Sequence, residues 1–180
     1  MTKTAKTATR EHGLTFIAAE VRALLAGIQS RTMRVIRNLP AHWVRGKIPQ
    51  YFSEGDFCFY DPANPIGTFP TRFRVPIQVG DLIWVKETWL ELDRDHWAEP
   101  GSPRDKIIVS DVPRANAIAY RAECGVESDE IRKEYGYKWR SPVGMPKWAA
   151  RIWLRMTDVD VERMHDVWYW VYHFDRAEKP

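Results

Sequence analysis

The stretch "LLAGIQSRTMRVIR", residues 24–37, decides the class of fold, because the spacing of its apolar residues changes inside it. Leading into it, Val21, Leu24, Leu25 and Ile28 recur at i, i+3, i+4 and i+7, the spacing of one helix face. Thr15 stands where it can cap that helix, and Gly27 where a left-handed residue would end it. From Ser30 to Arg37 the period falls to two. Arg31, Met33 and Val35 share one face of the expected strand, and Thr32 and Arg34 share the other. A helix that hands over directly to a strand points to an α+β chain.

Outward from this stretch, strands dominate. "VGDLIWVKETWLEL", 79–92, opens on a Gly-Asp turn and then alternates Leu82, Trp84 and Lys86 with Ile83, Val85 and Glu87. "AIAYRAE", 117–123, reads as a short strand. "ARIWLRMTDVDVERM", 150–164, reads as a long one, bent near Thr157, and "VWYWVYHFD", 167–175, as the last. "FCFYDPANPIGTFPTRF", 57–73, reads as a loop or irregular hairpin, 93–114 as a polar loop, and "SDEIRKEYG", 128–136, as a weak helix or turn. Residues 1–13 are rich in Thr, Ala and Lys and read as a mobile tail, leaving 14–180 as a single domain. One helix and about five or six strands fit a mostly β fold, a small β-barrel with a helix at its mouth and long loop insertions.

Bulk properties narrow the function classes. The chain has 180 residues, 44% hydrophobic and 28% charged, which is enough to bury a core. A net charge of only +3 makes the placement of charge matter more than its total. Residues 1–13 contain no apolar signal core, and no apolar run is long enough to span a bilayer. Cys58 and Cys124 form no CxxC, and the five histidines show no metal-ligand spacing with them. The expectation is a cytoplasmic protein with reduced thiols, no membrane contact, no metal and no cofactor.

Three constellations of side chains have chemical potential. The first is Gln29, Arg31, Thr32, Arg34 and Arg37, where guanidinium forks beside a hydroxyl suit an anion or a carbonyl edge; the alternative is that Arg31 and Arg37 face water. Arg34, set between Met33 and Val35, is expected to be part-buried and to need a carboxylate or a ligand. The second is "KWRSPVGMPKWAAR", 138–151. Its Lys138-Trp139 and Lys147-Trp148 pairs, with Arg140, would let rings stack on bases while cations track phosphates; the alternative is that Trp139 and Trp148 pin a long loop. The third is Glu87, expected to point inward and to pair with Arg34, or to serve as a general base.

Four blocks, "LLAGIQSRTMRVI", "GDLIWVKETW", "AIAYRAE" and "KWRSPVGMPKWAARIWLRMTDVDVERMHDV", together resemble the ASCH-domain proteins of bacteriophages and prophages. That family belongs to the PUA-like superfamily of small β-barrels. The resemblance spans roughly residues 14–175. It implies a cleft beside the first helix and ligands related to RNA or modified nucleosides. One branch removes acyl groups from the exocyclic amine of cytidine, with a Gly-Arg-Lys-Thr-x-Thr-x-Arg motif and a downstream glutamate. Carried across, its glycine falls on Gly27, its catalytic lysine on Gln29, its catalytic threonine on Thr32 and its arginine on Arg34. Gln29 has no basic nitrogen to shuttle a proton. The helical segment that should carry the glutamate is missing between "TDVDVERMHDV" and "WYWVYHF", and Glu162 does not match it.

The reading that follows is a non-catalytic module binding RNA, single-stranded nucleic acid, a nucleotide or a modified base. Gln29, Thr32 and Arg34 would line the cleft, while Arg31, Arg37, Lys138, Arg140 and Lys147 contact phosphates. The alternatives are a nucleoside amidohydrolase or ribonuclease using Thr32, Arg34 and Glu87, and a phage accessory or assembly protein or an inhibitor of a host protein, with a host or phage protein as partner.

Overall fold

A computed structural model describes residues 9–37, 48–53, 56–60, 73–91, 118–124, 130, 133–134 and 136–180. The chain is mostly β. In order it forms β1 (Glu11–Thr15), α1 (Ala18–Leu25), β2 (Arg31–Val35), β3 (Ile48–Ser53), β4 (Asp56–Tyr60) and β5 (Phe73–Arg74). There follow β6 (Leu82–Lys86), β7 (Trp89–Glu91), β8 (Ile118–Tyr120), β9 (Trp153–Met164) and β10 (Val167–Ala177). The largest sheet has the order β1-β6-β9-β10-β2; β3-β4-β5 and β7-β8 form two smaller ones. β1 and β2 end the large sheet, so the expected closed barrel is not seen among the described residues.

Two compact units divide the chain. One comprises residues 1–12, 30–83 and 154–178, the other 13–29, 84–153 and 179–180.

In the first unit the β9–β10 hairpin is the organising element. Only His165 and Asp166 lie between the strands, and both have positive φ, 47° and 66°. That is the backbone a two-residue turn needs to match strand twist. Arg163 pairs with Asp166 across it. β10 then pairs antiparallel with β2, Thr32 opposite Tyr172 and Arg34 opposite Trp170. Directly opposed residues share a face, so Thr32 and Arg34 lie on the face of Trp170 and Tyr172. That face is the buried one: both aromatics are core residues, and Phe57 of β4 meets the Trp170 ring edge-on at 5.5 Å. Arg31 and Val35, on the opposite face, are exposed. Asp81 fixes the turn into β6. Its buried carboxylate accepts from the Arg10 and Gln78 amides at 3.1 and 2.9 Å and meets His12 Nε2 at 3.0 Å.

In the second unit α1 buries Val21 and Leu24, while Leu25 and Ile28 of the expected apolar face are exposed. Thr15 is not its cap: it ends β1, and the Glu20 carboxylate takes the Ile17 amide instead, at 2.9 Å. Gly27, φ 69°, follows the helix as its left-handed terminus. At Gly13 an added Cβ would lie 2.5 Å from the Trp84 ring, so β1 passes this indole only because the side chain is missing. The strand expected over 79–92 is broken at Glu87 and Thr88, after which β7 leaves to pair with β8.

Other expectations meet the structure unevenly. β1 takes up residues 11–13 of the stretch read as a tail, while 1–8 lie outside the described residues. The hairpin reading of 57–73 holds at its ends, where β4 and β5 pair (Phe57 opposite Phe73); 61–72 lie outside the described residues. So do the whole of the expected polar loop, 93–114, and parts of 128–136, whose residues 130, 133 and 134 are helical. Neither Cys58 nor Cys124 is joined in a disulfide. No helix among the described residues is long and apolar enough to cross a membrane.

Candidate functional site

Residues 138–151 form a surface built of alternating cations and indoles in the second unit. The backbone is held from one side by β7. The Arg140 amide donates to the Trp89 carbonyl at 2.8 Å, and the Trp89 amide returns to Arg140 at 3.4 Å. Ser141 then starts a single 3-10 turn, Pro142–Gly144, accepting the Val143 amide at 3.3 Å. Lys86 Nζ donates to the Val143 carbonyl at 2.7 Å. Met145, almost fully buried, takes the Glu87 amide on its sulfur at 3.3 Å. A second turn, Lys147–Ala149, leads into β9. Pro142 opens the first turn and Pro146 precedes the second, and both remove backbone freedom. The loop is therefore a fixed platform.

On this platform cations lie over rings. Arg140 sits 4.9 Å above Trp89, Lys147 5.4 Å above Trp153, and Arg121 5.6 Å above Trp139. Trp148 meets Trp89 edge-on at 6.4 Å. Lys138, Arg140 and Lys147 are exposed, and Trp139 and Trp148 are half-buried. Each of these two rings is thus both an anchor and a partial surface. Arg140 also meets Glu91 at 3.3 Å, an exposed pair of the kind worth about 0–1 kcal/mol and open to exchange for a phosphate.

Behind the platform lies a cluster that sequence reasoning missed. Glu87 is 1% exposed and does not meet Arg34 as expected. Its two carboxylate oxygens accept from Arg151, from Nε at 2.9 Å and from Nη2 at 3.0 Å. Arg151 Nη1 pairs with Glu123, and its guanidinium lies 4.0 Å from the centre of the Tyr120 ring. Tyr120 donates its hydroxyl proton to the Ala149 carbonyl at 2.6 Å. Burial opposes the charge on Arg151, but the hydrogen bonds and charges of Glu87 and Glu123 more than offset this and raise its pKa. A signal was available: Arg151 interrupts an otherwise apolar "WAARIWL", and an arginine entering a buried strand needs a carboxylate.

Burial also pushes the Tyr120 phenol up to about 12, against the opposing charge of Arg151. Tyr172 is raised further by burial, against Arg34. For a phenol held protonated in the native state, the sign is clear. The unfolded chain loses its proton near pH 10, so this contribution to stability is intact below pH 10 and is lost as pH climbs toward 12. Absorbance at 295 nm should show a component still protonated at pH 11, and Tyr120→Phe should remove the part of it near pH 12. Complete titration of the native protein by pH 10.5 would contradict these assignments.

No family model, curated protein or solved structure matches the chain.

The first unit holds the other expected site residues. Arg34 is half-buried and donates through Nη1 to Thr32 Oγ1 at 2.7 Å and to the Met33 carbonyl at 2.8 Å. Thr32 itself is buried. Arg31 meets Glu162 at 3.3 Å across β10, both exposed, and Arg37 is exposed. Gln29 lies in the second unit, half-buried just after α1, its backbone N–H donating to the Ala23 carbonyl at 3.3 Å. The two-residue turn between β9 and β10 leaves no chain for a helical segment carrying a glutamate. Among the described residues, no three His, Cys, Asp or Glu side chains come together in a metal-binding group.

Proposed function

We propose that the chain is a binding module for single-stranded RNA or a nucleotide, with residues 138–151 as its principal contact surface. The observation that carries this reading is the fixed loop on which Lys138, Arg140 and Lys147 are exposed beside the half-buried rings of Trp139 and Trp148. Cations on such a surface meet phosphates while rings meet bases, and neither contact depends on sequence. Arg31 and Arg37 add positive charge at β2 and the residues after it. We further infer a PUA-like fold of the ASCH type, from the four sequence blocks, and a place in the cytoplasm of a phage-carrying bacterium.

The enzymatic alternative asks Glu87 to act as a base. Both of its oxygens already accept from Arg151, so the proposed module binds without transforming its ligand.

The nine indole N–H groups offer a direct test by nuclear magnetic resonance. Titration with a single-stranded RNA octamer should shift the signals of Trp139 and Trp148 and leave Trp170, in the core of the first unit, in place. Shifts confined to tryptophans outside residues 138–151, or none, would overturn the assignment.

A further inference from the structure

The Arg151 cluster has the construction of an anion site whose seat is occupied by the protein's own carboxylate. Three contacts fix the guanidinium before any ligand arrives. Glu87, whose side chain is 2% exposed, holds the Nε–Nη2 edge through two hydrogen bonds of 2.9 and 3.0 Å. The Tyr120 ring covers one face at 4.0 Å. The Tyr120 hydroxyl is itself tied to the Ala149 carbonyl, two residues before Arg151, so ring and guanidinium are referenced to the same stretch of backbone.

The remaining edge, carrying Nη1, meets Glu123. This partner is of a different kind. Its side chain is 57% exposed, and it stands on the turn that follows β8, held by the Glu123 amide donating to the Tyr120 carbonyl at 3.1 Å. A buried carboxylate paired to arginine is expensive to remove, whereas an exposed one is worth at most about 1 kcal/mol and exchanges readily. The two glutamates therefore divide the work: Glu87 orients Arg151, and Glu123 occupies it.

We propose that the Nη1 edge of Arg151 is a phosphate-binding site, and that Glu123 is a stand-in anion which a phosphate group displaces. The inference deepens the nucleic-acid reading and rests on it for the source of the phosphate. A planar donor fork, stacked on a ring and fixed from behind, suits a tetrahedral anion bearing several acceptor oxygens. The phosphate belongs either to a phosphodiester chain or to a free phosphate or nucleotide, and two probes tell these apart.

Calorimetric titrations with inorganic phosphate, and with an RNA octamer lacking terminal phosphates, are run on the wild-type chain, Glu123→Gln and Arg151→Lys. Glu123→Gln keeps the shape of the side chain and removes its charge. It should tighten binding of at least one probe about fivefold, the equilibrium counterpart of a displaced exposed ion pair. Arg151→Lys, which keeps a charge but loses the fork, should bind that probe more weakly than wild type. A gain with the octamer places the phosphate in a chain. A gain with inorganic phosphate alone supports the site with a free phosphate or nucleotide as its source, and removes the RNA reading where the octamer also fails to bind wild type. If the octamer binds wild type and Glu123→Gln equally and inorganic phosphate binds neither, the inference is overturned while the nucleic-acid reading stands. If neither probe binds any of the three, both fall. A purely structural role for the cluster predicts no gain in Glu123→Gln, and this comparison stands even if Arg151→Lys fails to fold.

Discussion

Replacing Glu87 by alanine is expected to cost about 3 kcal/mol of folding stability, the lower end of the range for breaking a buried ion pair. The carboxylate is almost fully buried and is shared with a guanidinium whose own side chain is only 20% exposed. Removing the acid strands the base. Arg151 keeps Glu123, and this residual partner is why the lower end applies. The cost is that of an uncompensated charge more than of a lost attraction, which makes a second, opposite expectation. The double replacement Glu87→Leu with Arg151→Met removes both charges, retains apolar volume, and should recover most of the stability lost in the single variant. Urea unfolding followed by tryptophan fluorescence measures both. A single variant within about 0.5 kcal/mol of wild type would mean that the pair carries no such charge burden.

The second large effect is on binding. Changing Lys138, Arg140 and Lys147 together to alanine should weaken single-stranded RNA binding about twentyfold at 50 mM salt. Three phosphate contacts at a slope of about 0.7 each cost wild type about this much between 50 and 200 mM salt alone, so the figure is the lower bound for losing the contacts outright. The three side chains are exposed, and Arg140 and Lys147 lie over indole faces, so the cost in stability is confined mainly to those two contacts. Each cation–π contact at an exposed site is worth about 0.5–1 kcal/mol. The variant should accordingly fold, bind weakly, and lose most of its dependence on salt. An affinity equal to wild type would move the interface elsewhere.

Much of the fold was legible because periodicity reports burial. The alternation of Ile83, Val85 and Glu87 against Leu82, Trp84 and Lys86 placed Glu87 on an inward face, and it is buried. β9 and β10 announced themselves through β-branched and aromatic runs. The switch from helical to strand spacing at Gly27 is where α1 gives way to β2. Periodicity failed where a backbone changes direction without changing composition. Nothing in "WVKETWLEL" marks the break at Glu87 and Thr88, because Trp89 and Leu90 continue an apolar pattern into a different sheet. Thr15 was a reasonable cap by residue type, but β1 recruits it, and Glu20 performs the capping from inside the first turn.

The site was harder, because partners are set by tertiary contact. Sequence gave Glu87 an arginine partner but chose Arg34. The choice fell to Arg151, 64 residues away, because β6 and the chain entering β9 meet, the Val85 amide donating to the Ile152 carbonyl at 3.0 Å. Arg34 needed a polar partner, as a half-buried guanidinium does, and has Thr32 on its own strand. For Trp139 and Trp148 the anchoring and stacking readings were posed as alternatives, and half-burial of both rings leaves room for the two roles together.

The most direct measurement is the affinity of the wild-type chain for a single-stranded RNA octamer across a series of salt concentrations, by fluorescence anisotropy. The account predicts saturable binding whose logarithm falls with the logarithm of salt at a slope of about −2. Absence of saturable binding at low salt, or an affinity indifferent to salt, would contradict it.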